Sequence, residues 1–349
     1  MKPSSYYQSS PKQRLALRLA LRFAFLGLLA GSILHVILGY PKTILHTTLT
    51  FFLIGFINGL LELFFAHPKM IRLPYAILLL LRSVIYFLVI LILTFVSFLF
   101  YIKSIGYDLS DLAETSVVDN IKREYLLSNI NAIWILSVSL IATIGWQLQP
   151  FFGKGVLLNY LTGKYHKPSV EVRIFMFLDL NDSTTIAEQL GPSKYSALVT
   201  DFFRDIDTPI TETQGSVLQY VGDEVVVIWK QKYGIKNNNC LRAFNMAQEV
   251  LKTRRGYYEK NYGVFPGFKA GMHIGEVSIT EVGVSKKEIA YHGNTINTTA
   301  RVCAAVHKHG KQILISKPLF ERLKTEEEFE DLGHHLFKGK QEAVHIFGK

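Results

Sequence analysis

Residues 172–180, VRIFMFLDL, followed at once by 181–184, NDST, decide how the C-terminal half of this chain is read. A nearly continuous apolar run of strand length predicts a strand covered on both faces, and the Asn-Asp-Ser-Thr cluster behind it is a helix-starting signal. Asp179 therefore stands at the end of a buried strand. Helical patterning covers 184–190 and 193–212. Gly215 then opens SVLQYV, which meets EVVVIWK across Gly222-Asp223 and reads as a β-hairpin with Asp223 at its tip. A helix over about 236–260, strands over about 267–282 and 288–292, a helix over about 294–308, a strand at 312–316 and a closing hairpin over about 332–347 complete the pattern. Strands and helices alternating in this way, with tight strand pairs, predict an α/β or α+β sandwich that is ferredoxin-like at its centre.

This pattern puts chemistry at named positions. A first strand lying beside the 215–230 hairpin brings its end near the hairpin tip, so Asp179 and Asp223 become neighbours. Two such carboxylates suit a pair of Mg²⁺ or Mn²⁺ ions, because hard cations take carboxylate oxygens and leave coordination positions for substrate phosphates. Asn181, Asp182, Ser183 and Thr184 open the following helix, whose free backbone N–H groups are suited to cradling phosphate. An aspartate at a strand end or in a turn is equally an ordinary structural choice. In GNTINTTAR, 293–301, Asn297 and Arg301 are four apart and share a helix face. An amide beside a guanidinium can hold a ribose and a phosphate under attack; a capped helix with an exposed arginine is the plainer reading of the same spacing.

Upstream of this region the solvent changes. The chain of 349 residues is 49% apolar with positive mean hydropathy, and Leu, Ile and Phe dominate residues 19–150. A bilayer core needs roughly 20 apolar residues per helix, and four stretches qualify: 19–40, 44–66, 74–102 and 129–149. An all-α four-helix transmembrane region over 1–150 is thus expected, with a linker over 151–171 and a second domain over 172–349. The net charge of +10 is concentrated at the start, where Lys2, Lys12, Arg14, Arg18 and Arg22 stand without an acidic residue among the first 22 positions. That clustering fits a membrane-surface anchor and not a nucleic-acid partner. Lys69 and Arg72 in the second loop and Lys154, Lys164 and Lys167 after the last span place both termini and the second domain in the cytosol by the positive-inside rule, in a multi-pass protein of the inner (plasma) membrane. Glu62 and Arg82 interrupt the second and third spans; an ion pair between them would hold the two together, while snorkelling of Arg82 to the headgroups is the competing reading. Cys240 and Cys303, outside any CxxC spacing, support neither a disulfide framework nor a zinc site.

Four segments, FLDLNDSTT (177–185), QYVGDEVVVIW (219–229), AYHGNTINTTAR (290–301) and LFKGKQEAVHIF (336–347), in this order and spacing, resemble the class III adenylate and guanylate cyclase domains, and GKYHKP (163–168) is similar to the linker of bacterial membrane-bound members. The resemblance covers the C-terminal half only. It implies a homodimer with composite active sites, in which Asp179 and Asp223 of one subunit hold two Mg²⁺ or Mn²⁺ ions per site. It further implies that the partner supplies Asn297 to orient the ribose, Arg301 to stabilise charge on the α-phosphate, and Lys338 or Lys340 to contact the phosphates. The expected reaction turns a nucleoside triphosphate into a 3′,5′-cyclic monophosphate and pyrophosphate.

Two positions depart from the family pattern. Gln219 stands where adenylate cyclases often have lysine and guanylate cyclases glutamate, and Ala290 occupies the partnering purine-reading position. A glutamine amide can both donate and accept, so it suits N1 of adenine or N1–H of guanine. ATP is the favoured substrate because the glutamate is missing; cyclic GMP synthesis, or an inert membrane receptor with a dimerising cyclase-like domain, are the alternatives. Ser183 also stands where the family commonly has phenylalanine.

Overall fold

The computed structural model describes residues 44–65, 75–104, 159–160, 162–285, 287–337 and 342–349, with isolated positions within 20–32 and at 137. The chain divides into two compact units, Met1–Leu148 and Gln149–Lys349.

In the first unit, helices α1 (Ile44–Phe65) and α2 (Tyr75–Ser104) are described. Within α2 the segment Ile77–Ser97 is long and apolar enough to cross a membrane. The apolar segment of α1, Thr48–Glu62, falls short of that length, so of the two expected spans that can be described only one meets the requirement by itself. The expected spans at 19–40 and 129–149 lie outside the described residues. The expected ion pair is present: Arg82 lies 3.7 Å from Glu62, both side chains are largely buried, and the Arg82 guanidinium sits over the Phe65 ring at 5.1 Å. The Tyr86 hydroxyl donates to the same Glu62 carboxylate. Two charges in apolar surroundings are better tolerated paired than alone, although Arg82 Nε is buried without a hydrogen-bond partner of its own.

The second unit begins its sheet with β1 (Ser169–Leu180), continues through α3 (Ser183–Glu212), the hairpin β2 (Ser216–Val221) and β3 (Glu224–Lys230), the short α4 (Gln231–Ile235), α5 (Asn239–Thr253) and α6 (Arg255–Tyr262), and returns as β4 (Phe268–Val282). Then follow β5 (Glu288–His292), α7 (Asn294–Ala305), β6 (Ile313–Ser316), the single turn α8 (Lys317–Phe320), β7 (Glu330–His335) and β8 (Val344–Gly348). The described strands form one eight-stranded sheet in the order β2-β3-β1-β4-β6-β8-β7, with β5 paired to the far end of β4. Its first half is the β-α-β-β-α-β arrangement of the ferredoxin-like fold.

Alternation along β1 sorts two cores. Ile174, Met176, Leu178 and Leu180 enter the larger one with Leu198, Phe202 and Ile206 of α3 and Phe244, Ala247 and Leu251 of α5. Phe175 and Phe177 face the opposite side, where Val226, Ile228, Val277, Ile279 and Cys303 of α7 close over them. Helix α7 can come this close because β4 offers two glycines. A Cβ on Gly271 would lie 2.2 Å from the Cys303 backbone nitrogen, and one on Gly275 would lie 2.5 Å from Thr295 Oγ1.

The helix expected over 236–260 is two helices. Asn237 and Asn238 take left-handed backbone angles and delay its start to Asn239. At Arg254 the backbone leaves helical values, with Arg254 Nε 2.9 Å from Asp205 and its guanidinium over the Tyr257 ring. The linker differs too. Tyr165 is buried in the smaller core, and its carbonyl accepts from the backbone N–H of Glu281 at 2.9 Å, so part of the expected linker packs as catalytic-unit core.

Candidate active site

One row of side chains across the sheet makes the centre. Asp179, by alternation, shares the face of Phe175 and Phe177. Its register partner on β3 is Glu224, which shares a face with Val226 and Ile228; its partner on β4 is Lys269, on the side of Val277 and Ile279. Glu224, Asp179 and Lys269 therefore stand side by side, and Asp223 is held next to them in the turn closed by Gly222, whose φ is +63°. Lys269 Nζ lies 2.7 Å from Asp179 Oδ2, and both side chains are mostly buried. Like charges directly opposite across a strand pair repel, so a row holding Glu224 and Asp179 needs the lysine on its other side.

The electrostatics record that crowding. Burial raises the Asp179 carboxyl above its ordinary value, with Asp223 adding to the rise and Lys269 opposing it. Glu224 is pushed up to about 7, by burial first and then by Asp179 and Asp223. One oxygen of Asp223, Oδ2, is buried without any hydrogen-bond partner. Excess carboxylate, an orphaned buried oxygen and oxygen-only donors fit a hard divalent cation. Among the described residues no three His, Cys, Asp or Glu side chains converge enough to hold a metal ion by themselves, so phosphate oxygens and water would have to complete the shell.

The turn after β1 sits at the same end of the strand. The Asn181 N–H donates to Gly267 at 2.9 Å, Asp182 takes the left-handed angle φ 53°, and its carbonyl accepts from Ile186 in the first turn of α3. The side-chain oxygen of Asn181 is buried and unpartnered; Ser183 is half-buried and Thr184 exposed. Tyr195, half-buried on α3, has its hydroxyl pKa raised chiefly by burial and then by the Asp223 charge. Asn297 is exposed and Arg301 half-buried, one turn apart on α7. Gln219 is exposed on β2, beside a register shift between Val217 and Gln219, while Ala290 is half-buried on β5 opposite Thr280. No hydrogen bond or ion pair among the described residues ties Asn297, Arg301, Gln219 or Ala290 to the aspartates. Lys338 and Lys340 lie outside the described residues.

Lys269 and Glu224 went unmarked in the sequence. The signal for Lys269 was a single charge in the otherwise apolar entry to β4, FKAGMHI; its meaning depends on register. For Glu224 the signal was an acid directly after Asp223.

The chain resembles proteins of known kind. It is 30% identical over 252 residues to Adenylate cyclase 2 of Rhizobium meliloti (strain 1021), covering 71% of this chain and 69% of that one. It is 25% identical over 188 residues to Adenylate cyclase 1 of the same organism, covering 49% of this chain and 26% of that one. The structure of a bacterial light-regulated adenylyl cyclase shares the fold, with a TM-score of 0.51 at 20% identity over 60% of this chain and 63% of that chain. The model of the adenylate and guanylate cyclase catalytic domain matches residues 165–347, more than half of the chain and inclusive of every site residue named above, and the chain accordingly belongs to that family.

Proposed function

We propose that this protein is a membrane-anchored adenylate cyclase that converts ATP into 3′,5′-cyclic AMP and pyrophosphate, working as a homodimer with composite active sites. The observation that carries the reading is the row Glu224–Asp179–Lys269 with the unpartnered Asp223 oxygen beside it, in a chain of the cyclase family. ATP is preferred because the named relatives are adenylate cyclases and Gln219 brings no carboxylate to the base.

In the reaction the ribose 3′-oxygen attacks the α-phosphorus. The 3′-O–P bond forms, the bond to the bridging oxygen of the β-phosphate breaks, and the hydroxyl proton leaves to solvent. Two divalent cations, when bound, would lower the pKa of the attacking hydroxyl and neutralise phosphate charge. Asp179 and Asp223 would hold them. Lys269, now paired with Asp179, is a cation within the site that can turn to phosphate oxygens once its carboxylate is taken by a metal. From the partner subunit, Asn297 would fix the ribose and Arg301 would meet the charge that grows on the α-phosphate. Both are unpaired within the described protomer, as groups awaiting a substrate should be. Lys338 or Lys340 would contact the phosphates. Asn181, Asp182, Ser183 and Thr184 would steer the triphosphate at the start of α3.

The anchor in this reading has four spans, 19–40, 44–66, 74–102 and 129–149, with both termini cytosolic. The apolar segment Ile77–Ser97 of α2 supports a place in the membrane for this unit, and the other three spans rest on the sequence alone.

The test is cyclic nucleotide production by detergent-solubilised protein given ATP or GTP with Mg²⁺ or Mn²⁺, identified by mass spectrometry beside Asp223→Ala and Arg301→Ala. Cyclic AMP that disappears in both variants is the expected result. Cyclic GMP in its place would make this a guanylate cyclase, and no product under any condition would point to an inert receptor.

A further inference from the structure

Glu224 is a half-buried carboxylate with two acidic neighbours and no cation of its own. Lys269, the positive charge in its row, is committed to Asp179 at 2.7 Å, and Glu224 makes no ion pair or hydrogen bond with a described residue. A carboxylate kept for structural reasons is ordinarily paired or hydrogen-bonded when it leaves water. This one instead sits opposite Asp179 and next to Asp223, where it adds repulsion to a folded protein that gains nothing visible in return. The second observation is the buried, unpartnered Oδ2 of Asp223 beside it. An orphaned acceptor and an uncompensated charge at the same point have a common remedy, a divalent cation.

Resting on the reading of Asp179 and Asp223 as metal ligands, we propose that Glu224 is a positioning residue of the metal site, a third carboxylate outside the direct coordination shell whose charge holds the divalent cation. Among the described residues no three such side chains converge enough to hold a metal ion, which leaves Glu224 an outer position. There it accepts hydrogen bonds from water or from groups on the ion and offsets the opposing charge of Lys269. Partners of this outer kind are worth about ten- to a hundredfold in metal affinity.

The experiment uses full-length protein in detergent without nucleotide, titrated with Mn²⁺ and followed by loss of the free-ion paramagnetic resonance signal. Wild type binds, Asp223→Ala does not, Glu224→Gln binds about tenfold more weakly, and Glu224→Asp, which keeps the charge, stays near wild type. Thermal unfolding supplies a second readout. Without metal, Glu224→Gln has a higher midpoint than wild type, because a repulsion is gone, and gains less from Mn²⁺. A merely structural glutamate would do the reverse, with a lower midpoint and unchanged Mn²⁺ affinity, and that result would overturn the proposal. Equal uptake by wild type and Asp223→Ala would sink the metal reading together with it. Binding lost in Asp223→Ala but unchanged in Glu224→Gln would remove the role of Glu224 alone.

Discussion

Arg301 is half-buried on α7, one turn from the exposed Asn297, and makes no hydrogen bond or ion pair with a described residue. Arg301→Ala is expected to lower kcat by about a hundredfold to a thousandfold, the usual cost of one lost transition-state donor. Unfolding should shift by less than the loss of a buried pair would cause, because Arg301 has no such pair to lose; initial rates and thermal melts on the same sample check both halves. Asp201 is the opposite kind of residue. Burial works against its ionised form, yet the hydroxyls of Tyr257 and Tyr262, each at 2.7 Å, and the charges of Arg204 and Arg254 hold its carboxyl below the ordinary value. A depressed folded-state pKa contributes stability that is present above the unfolded value of about 3.9 and is lost as pH falls through the folded one. The difference in melting temperature between wild type and Asp201→Asn should therefore be largest near neutrality and shrink on acidification below about pH 4; a constant difference would deny the linkage. Asp179 and Asp223 were legible because a strand end and a hairpin tip can be found from local pattern. Lys269 and Glu224 were not, since their meaning comes from cross-strand register, which no local window contains.

At the scale of elements, nearly every strand and helix of the catalytic unit could be read in advance, with boundaries shifted by a few residues. What escaped was decided by tertiary contact: the break at Arg254 follows its pairing with Asp205 on another helix, and the turn α8 is too short to show a period. The seating of α7 on β4 is the element most open to test. Gly271→Ala drives a methyl into the Cys303 backbone, and overpacking of this kind costs about 1–3 kcal/mol. It should lower the denaturation midpoint and, by shifting α7, lower activity further than the stability loss explains. A variant with wild-type unfolding would mean the helix has slack. Between α1 and α2, removal of one partner from a buried ion pair costs about 3–5 kcal/mol. Glu62→Ala or Arg82→Ala should thus reduce the amount of folded protein recovered from membranes, measured by gel-filtration yield.

At the scale of the whole molecule, the proposed composite sites make a genetic prediction. In that arrangement Asp223→Ala and Arg301→Ala, each expected to be inactive alone, would place their lesions on opposite contributors to a site. Co-expressed, they should form mixed dimers with one intact site, and random pairing returns about a quarter of wild-type activity. Mixed extracts that remain inactive would require both residues to act within one protomer. The burial of Tyr165 also bears on how such proteins are assembled from parts. Where the first strand starts is not where the catalytic unit starts, because an aromatic ring ahead of Ser169 fills the smaller core and its carbonyl secures the end of β4. Recombination that trades one membrane half for another must therefore cross over upstream of this tyrosine, and a chimera joined at the strand itself inherits a hole in its catalytic unit.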